Sequence, residues 1–230
     1  MHPLDNPAWH ALHGPHARFA EAVGDAVRYQ PDVAPFLTVH PDAGPEVWPD
    51  VAALAGPGAT IAVTGDGPAP PATWEVVEEA GGVQMLDVAV EARPEPEAVV
   101  LSAADVPEIL DLVARTRPGP FKERTIELGT YLGIRHEGRL VALAGERLHL
   151  DGWTEISAVC TDPAYRGQGL ATRLVRAVAH GIRARGERPL LHAAAANTNA
   201  IRLYESIGFE LRRHTAFRVV RVPALVGGAA

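Results

Sequence analysis

The chain has 230 residues, 47% hydrophobic and 21% charged, with a net charge of −7, a balance that suits one large globular domain or two small ones. It has no unbroken apolar run long enough to span a bilayer and no basic cluster interleaved with aromatics, so neither a membrane span nor nucleic-acid binding is expected. The single cysteine, Cys160, excludes an internal disulfide, and the start Met1-His2-Pro3-Leu4 lacks a basic and then apolar leader; a cytoplasmic protein is expected.

Charge divides the chain unevenly. Residues 1–97 hold 3 basic and 15 acidic side chains, residues 98–230 hold 18 and 13. A basic half suits a polyphosphate ligand, and an acidic half would attract a cationic partner. In the first half His10, His13 and His16 recur at a spacing of three, but Gly14-Pro15 breaks any helix that would align them, so no metal site is expected. Ala59–Val63 reads as a strand, Pro71–Ala80 as a helix and Val83–Val90 as a strand, a small α/β layer. Gly65-Asp66-Gly67 is a turn, because prolines follow at once. Arg93-Pro94-Glu95-Pro96-Glu97 reads as a linker, which divides the chain into an N-terminal α/β domain (1–92), a linker (93–97) and a larger domain (98–230).

The second half has sharper patterns. Val99–Leu101 is a short strand, and Ser102 caps a helix with Val106, Ile109, Leu110 and Val113 on one face. Tyr131–His136 and Arg139–Leu150 form a hairpin around Glu137-Gly138, and Trp153–Thr161 is the next strand. From Gly169 to about Arg185 a helix carries Leu170, Leu174, Val178 and Ile182 as one stripe. Leu190–Ala194 is a buried strand, Asn197 caps a helix that Gly208 ends, and Phe209–Arg221 supplies the last strands.

The strand ending in Val159-Cys160-Thr161 runs into a loop with Arg166, Gly167, Gln168 and Gly169, and this opens onto the helix at Leu170-Ala171-Thr172. Such a turn aims several backbone N–H groups at one point beside a helix start, and a pyrophosphate would fit it. No Gly-Lys-Ser/Thr and no G-x-G-x-x-G is present, so it is neither a Walker loop nor a dinucleotide fingerprint. Downstream, Asn197-x-x-Ala200-x-x-x-Tyr204-x-x-x-Gly208-Phe209 stands in register with it. The two motifs together resemble the GNAT acyltransferase superfamily over residues 98–222.

The resemblance implies an α/β (α+β) fold with a mixed, mostly antiparallel sheet flanked by helices. It also implies an N-acetyltransferase that moves an acetyl group from acetyl-CoA to a small-molecule or protein amine by direct attack in a ternary complex. Arg166 and the amides of Gly167 to Thr172 would hold the pyrophosphate, and Val159, Cys160 and Thr161 the pantetheine arm. Asn197 would cap its helix and touch the donor. Tyr204 would protonate the departing thiolate, and Glu155 would be the general base, with His149 in reserve. Strict alternation puts Trp153, Glu155, Ser157, Val159 and Thr161 on one face and turns Cys160 away, so an acyl-cysteine route is not expected. The rival reading is a non-catalytic acyl-CoA sensor. The N-terminal half would shape the acceptor site, and no feature points to an oligomeric state.

Overall fold

The computed structural model describes residues 2–224. In chain order the elements are α1 (Pro7–Leu12), β1 (Ala20–Val23), β2 (Ala26–Tyr29), β3 (Phe36–Val39), α2 (Trp48–Ala55), β4 (Thr60–Thr64), β5 (Glu75–Asp87) and β6 (Ala98–Val100). There follow α3 (Val106–Thr116), β7 (Tyr131–His136), β8 (Arg139–Leu150), β9 (Trp153–Thr161), α4 (Leu170–Ala184), β10 (Arg188–Ala194), α5 (Thr198–Ser206) and β11 (Phe209–Arg221).

Local chemistry accounts for most second-half elements. Ser102 and Asp105 make reciprocal side-chain-to-backbone bonds ahead of α3, closing donors that a helix start leaves free. Glu137 and Gly138 have φ of 49° and 82°, the backbone that a two-residue hairpin turn requires. The α4 stripe of Leu170, Leu174, Val178 and Ile182 is buried. Asn197 accepts a hydrogen bond from the Ala200 amide at 3.2 Å and starts α5.

Among the described residues eleven strands join one sheet, in the order β1-β2-β3-β4-β11-β5-β10-β9-β8-β7-β6. It is mixed and mostly antiparallel; only β3–β4 and β9–β10 run parallel. One face carries α4 and α5 over Met85, Ile156, Leu191 and Phe209. On the other, α3 packs with Leu143 and Cys160, and residues of α1 pack with Tyr29, Leu148 and Leu190.

Two expectations about the first half are corrected here. Residues 75–80 are strand, not helix, because they pair with 217–221 of β11, with one register shift that skips Val77; this long-range ladder overrides the local preference. Consequently β5, from the N-terminal half, lies between β10 and β11 of the second half, and the composition break at 93–97 does not separate two sheets. That segment is strapped to α4: Arg173 grips Glu95 through two hydrogen bonds of 2.7–2.8 Å and also reaches Glu97, and Arg183 holds Asp87 in the same two-pronged way.

The charge split has its physical explanation in the same place. Asp5, Asp32, Asp66, Glu75, Glu79, Asp87, Glu91, Glu95 and Glu97 all pair with arginines of the second half. Much of the acidity expected to draw a cationic partner is engaged in holding the two halves of the chain together.

Candidate active site

The site opens where two strands part. β9 and β10 pair from Trp153–Arg188 to Ile156–Leu191 and no further. Beyond that point β10 continues against β5 as far as Ala194–Gly82, while β9 continues against β8 to Thr161–Ala142. A cavity of about 810 Å³ fills the gap.

At one end lies the loop. Asp162 accepts a hydrogen bond from the Ala164 amide at 3.0 Å and pairs with Arg115 at 3.1 Å, which pins the turn. Gly167 and Gly169 have φ of 78° and 74°, and nothing lies within 4 Å of where their Cβ atoms would be. No side chain caps α4, whose first residue follows Gly169. Free helix-start amides, an adjacent Arg166 and an unobstructed approach are chemically suited to hold a phosphate diester. Arg166, Gly167, Gly169, Leu170, Ala171 and Thr172 border the cavity. Gln168 is exposed and does not.

Along the cavity wall β9 departs from simple alternation. Ala158 has φ of 54°, and the β8–β9 register shifts between Leu143 and Gly145, a bulge that turns the following side chains over. Thus Ala158 and Cys160 pack on the α3 side and Val159 on the α4 side, so the expected common face of Glu155, Val159 and Thr161 does not exist. Val159, Cys160 and Thr161 all border the cavity. The Thr161 hydroxyl is buried without a hydrogen-bond partner, a free polar group suited to an amide-bearing arm such as pantetheine. Burial pushes the Cys160 thiol up to about 11, which keeps it protonated and a poor nucleophile.

Across from β9, α5 presents Asn197, Ala200 and Tyr204 to the same cavity. Tyr204 is held edge-on to Phe209, with ring centroids 6.0 Å apart. Burial, with the neighbouring Cys160 adding to it, pushes its hydroxyl up to about 12. It is therefore a proton donor at neutral pH.

The other end of the cavity is bordered by Phe36, Ala62, Arg147, His192 and Phe217. None of these was singled out from the sequence, and no motif links them. Glu155 lies behind them. It is fully buried and does not border the main cavity, but it does border a smaller one of about 50 Å³ that shares Phe36, Arg147, His192 and Phe217 with it. Arg147 grips Glu155 through Nε at 2.8 Å and Nη2 at 2.6 Å, and His192 Nδ1 lies 2.8 Å from Oε1. Burial alone would raise the Glu155 carboxyl, but the Arg147 guanidinium and the His192 bond hold it well below the usual carboxylate range. The network continues outward. Gln84 Nε2 donates to the Leu4 carbonyl at 2.8 Å and stands 3.0 Å from His192 Nε2. Gln84 Oε1 accepts from Arg212, which also pairs with Asp5. Since Gln84 donates on the Nε2 side, His192 carries its proton on Nδ1 and donates it to Glu155.

The remaining histidines are elsewhere. His149 stands 3.4 Å from Glu146, and its ring centroid is 5.2 Å from that of buried His16; neither borders the cavity. His13 stacks on Trp9 at 3.9 Å. Among the described residues no three metal-ligating side chains converge, and no helix is long and apolar enough to cross a membrane.

Comparison with known proteins finds acetyltransferases. Residues 131–218 match the FR47-like protein family. The chain is similar to the crystal structure of an acetyltransferase assigned to the GNAT family from Novosphingobium aromaticivorans, with a TM-score of 0.87 and 42% identity over 96% of this chain and 98% of that one. It is 31% identical over 115 residues to the [ribosomal protein bS18]-alanine N-acetyltransferase of Escherichia coli, covering 47% of this chain and 77% of that relative. It is also 37% identical over 82 residues to the mycothiol acetyltransferase of Thermomonospora curvata; this match takes in 35% of this chain and spans only 27% of that relative's length.

Proposed function

The chain belongs to the GNAT acetyltransferase family, and from that premise we propose that it moves an acetyl group from acetyl-CoA to an amine by direct attack in a ternary complex. The observation that carries this reading is the single cavity that connects the Arg166–Thr172 cradle, the parted β9 strand, Tyr204 and the pocket bordered by Phe36 and His192. Relatives named as N-acetyltransferases support nitrogen as the acceptor atom.

Acetyl-CoA supplies the activated carbonyl carbon. Arg166 and the amides at the start of α4 bind its phosphates, and the β9 backbone from Val159 to Thr161, unpaired on the β10 side, holds the pantetheine arm and polarises the thioester carbonyl. The amine nitrogen bonds to that carbon as the carbon–sulfur bond breaks. Tyr204 gives its proton to the departing sulfur. Glu155 takes a different part from that of a base: its carboxylate already accepts from Arg147 and His192 and is shut off from the main cavity. It positions both side chains, and the amine enters neutral, losing its proton to cavity water after attack. The N-terminal half contributes Phe36 and Ala62 to the acceptor end.

Incubation with isotopically labelled acetyl-CoA and a panel of amines, followed by mass spectrometry, tests the reading. Label bonded to nitrogen is expected. Label that stays on coenzyme A, or appears only as free acetate, overturns it.

A further inference from the structure

The acceptor end of the cavity has a charge pattern that selects its occupant. Among the described residues no aspartate or glutamate borders the main cavity, whereas Arg117, Arg147 and Arg166 do. Arg166 belongs to the phosphate cradle at the donor end. Arg147 stands at the opposite end, shared by both cavities, with its guanidinium 4.9 Å over the Phe36 ring. The carboxylates that border the small inner cavity are already committed: Asp5 to Arg212 and Arg213, Asp66 to Arg213, Glu155 to Arg147. A cationic substrate finds no free counter-charge there. An anionic one meets no unpaired cation either, since Arg147 is itself paired with Glu155, but it does meet an unused donor on that guanidinium. Arg147 uses Nε and Nη2 on Glu155, and its third nitrogen, Nη1, has no hydrogen-bond partner among the described residues.

A guanidinium nitrogen left unbonded while the rest of the group is fixed is a pre-organised donor, and in a site walled by Phe36 and Phe217 its hydrogen bond to an anion is only weakly screened. We infer that the acceptor is a small amine carrying a carboxylate beside an apolar body, and that Arg147 Nη1 recognises that carboxylate. This rests on the amine-acetylation reading above. Since only one nitrogen is free, recognition is single-pronged: the carboxylate gains one charged hydrogen bond, and a neutral amide in its place gains a weaker one. One charge-assisted bond separates the two by roughly 10-fold or more in affinity.

The test compares N-acetyl amino acids with their carboxamides, as product analogues, on the protein saturated with coenzyme A. Calorimetry with N-acetylglycine, N-acetylleucine and N-acetylphenylalanine, each against its amide, is expected to show the acid binding at least about 10-fold tighter. The Arg147→Lys variant keeps a cation beside Glu155 and removes Nη1; its melting temperature verifies that it folds, and the acid-over-amide ratio is expected to fall towards one. Equal binding of acid and amide to the unmodified protein overturns the inference. So does a ratio that survives in Arg147→Lys, or no binding by any pair. Turnover separates the two claims. If amines lacking a carboxylate are acetylated as fast as the amino acids, the inference falls and the transferase reading stands. If acids bind preferentially but no amine is ever acetylated, the transferase reading falls and anion recognition by Arg147 stands.

Discussion

The two ends of the cavity are built in opposite ways. The proposed donor end comes from one short stretch, Arg166 to Thr172, of which all but Gln168 border the cavity, with exposed glycines in left-handed backbone and a helix start free of side-chain caps. The proposed acceptor end comes from Phe36, Gln84, Arg147, Glu155, His192, Arg212 and Phe217, on six different strands, with the five polar side chains joined in one hydrogen-bonded network. A phosphate cradle needs backbone amides and a permissive chain, which a local motif supplies. Selective recognition needs side chains fixed from several directions, and only tertiary packing supplies that. Perturbing the acceptor end should therefore damage folding and selectivity together, whereas perturbing the donor end should act more locally.

The largest effect is expected at the acceptor end. Arg147→Met leaves the Glu155 carboxylate buried without its main partner, at a cost of about 3–5 kcal/mol, read as a shift of the urea midpoint at unchanged slope. Arg147→Met with Glu155→Met should recover most of that loss. The same pair sets an acid response. The folded carboxyl lies below its unfolded value of about 4.3, so its contribution is complete above that pH and is lost as pH falls below it towards the folded value. Melting temperatures between about pH 6 and pH 3 should fall more steeply for the unmodified protein than for Glu155→Gln; parallel curves would show that Glu155 is not held this way.

Next is Tyr204→Phe. Removing the proton donor is expected to lower kcat about 100-fold, roughly 2.7 kcal/mol of barrier, while the KM for acetyl-CoA stays within about twofold. A parallel loss in both would make Tyr204 a packing residue. At the donor end, Gly169→Ala meets nothing within 4 Å, so its cost is backbone strain alone, about 1–2 kcal/mol, with an increase in the KM for acetyl-CoA. The smallest effect is Asn197→Ala, about 1 kcal/mol through the lost cap on α5, seen in thermal melts.

What could be read in advance followed the range of the forces. The hairpin at Glu137-Gly138, the α4 stripe and the Asn197 cap each depend on contacts within a few residues, and their elements were legible. Helix was expected for 71–80 because local pattern cannot register a partner strand some 140 residues away in β11. The bulge at Ala158 left no sign either: alanine has no preference for φ of 54°, and that one residue reverses which of its neighbours face α3 and which face α4. Glu155 was found by its place on β9, but its setting depends on Arg147, eight residues earlier, and on His192 from β10, which no spacing rule connects.

By itself the sequence determined the family signature and the glycine turn that opens α4, because glycine dihedrals, helix caps and short periodicities act through neighbouring residues. Tertiary structure decided the insertion of β5 between β10 and β11, the pairing of N-terminal acids with C-terminal arginines, and the burial of Glu155 against Arg147 and His192. Those outcomes depend on which distant strands share a hydrogen-bonded ladder and which buried charges find partners, and both are settled only when the sheet closes around them.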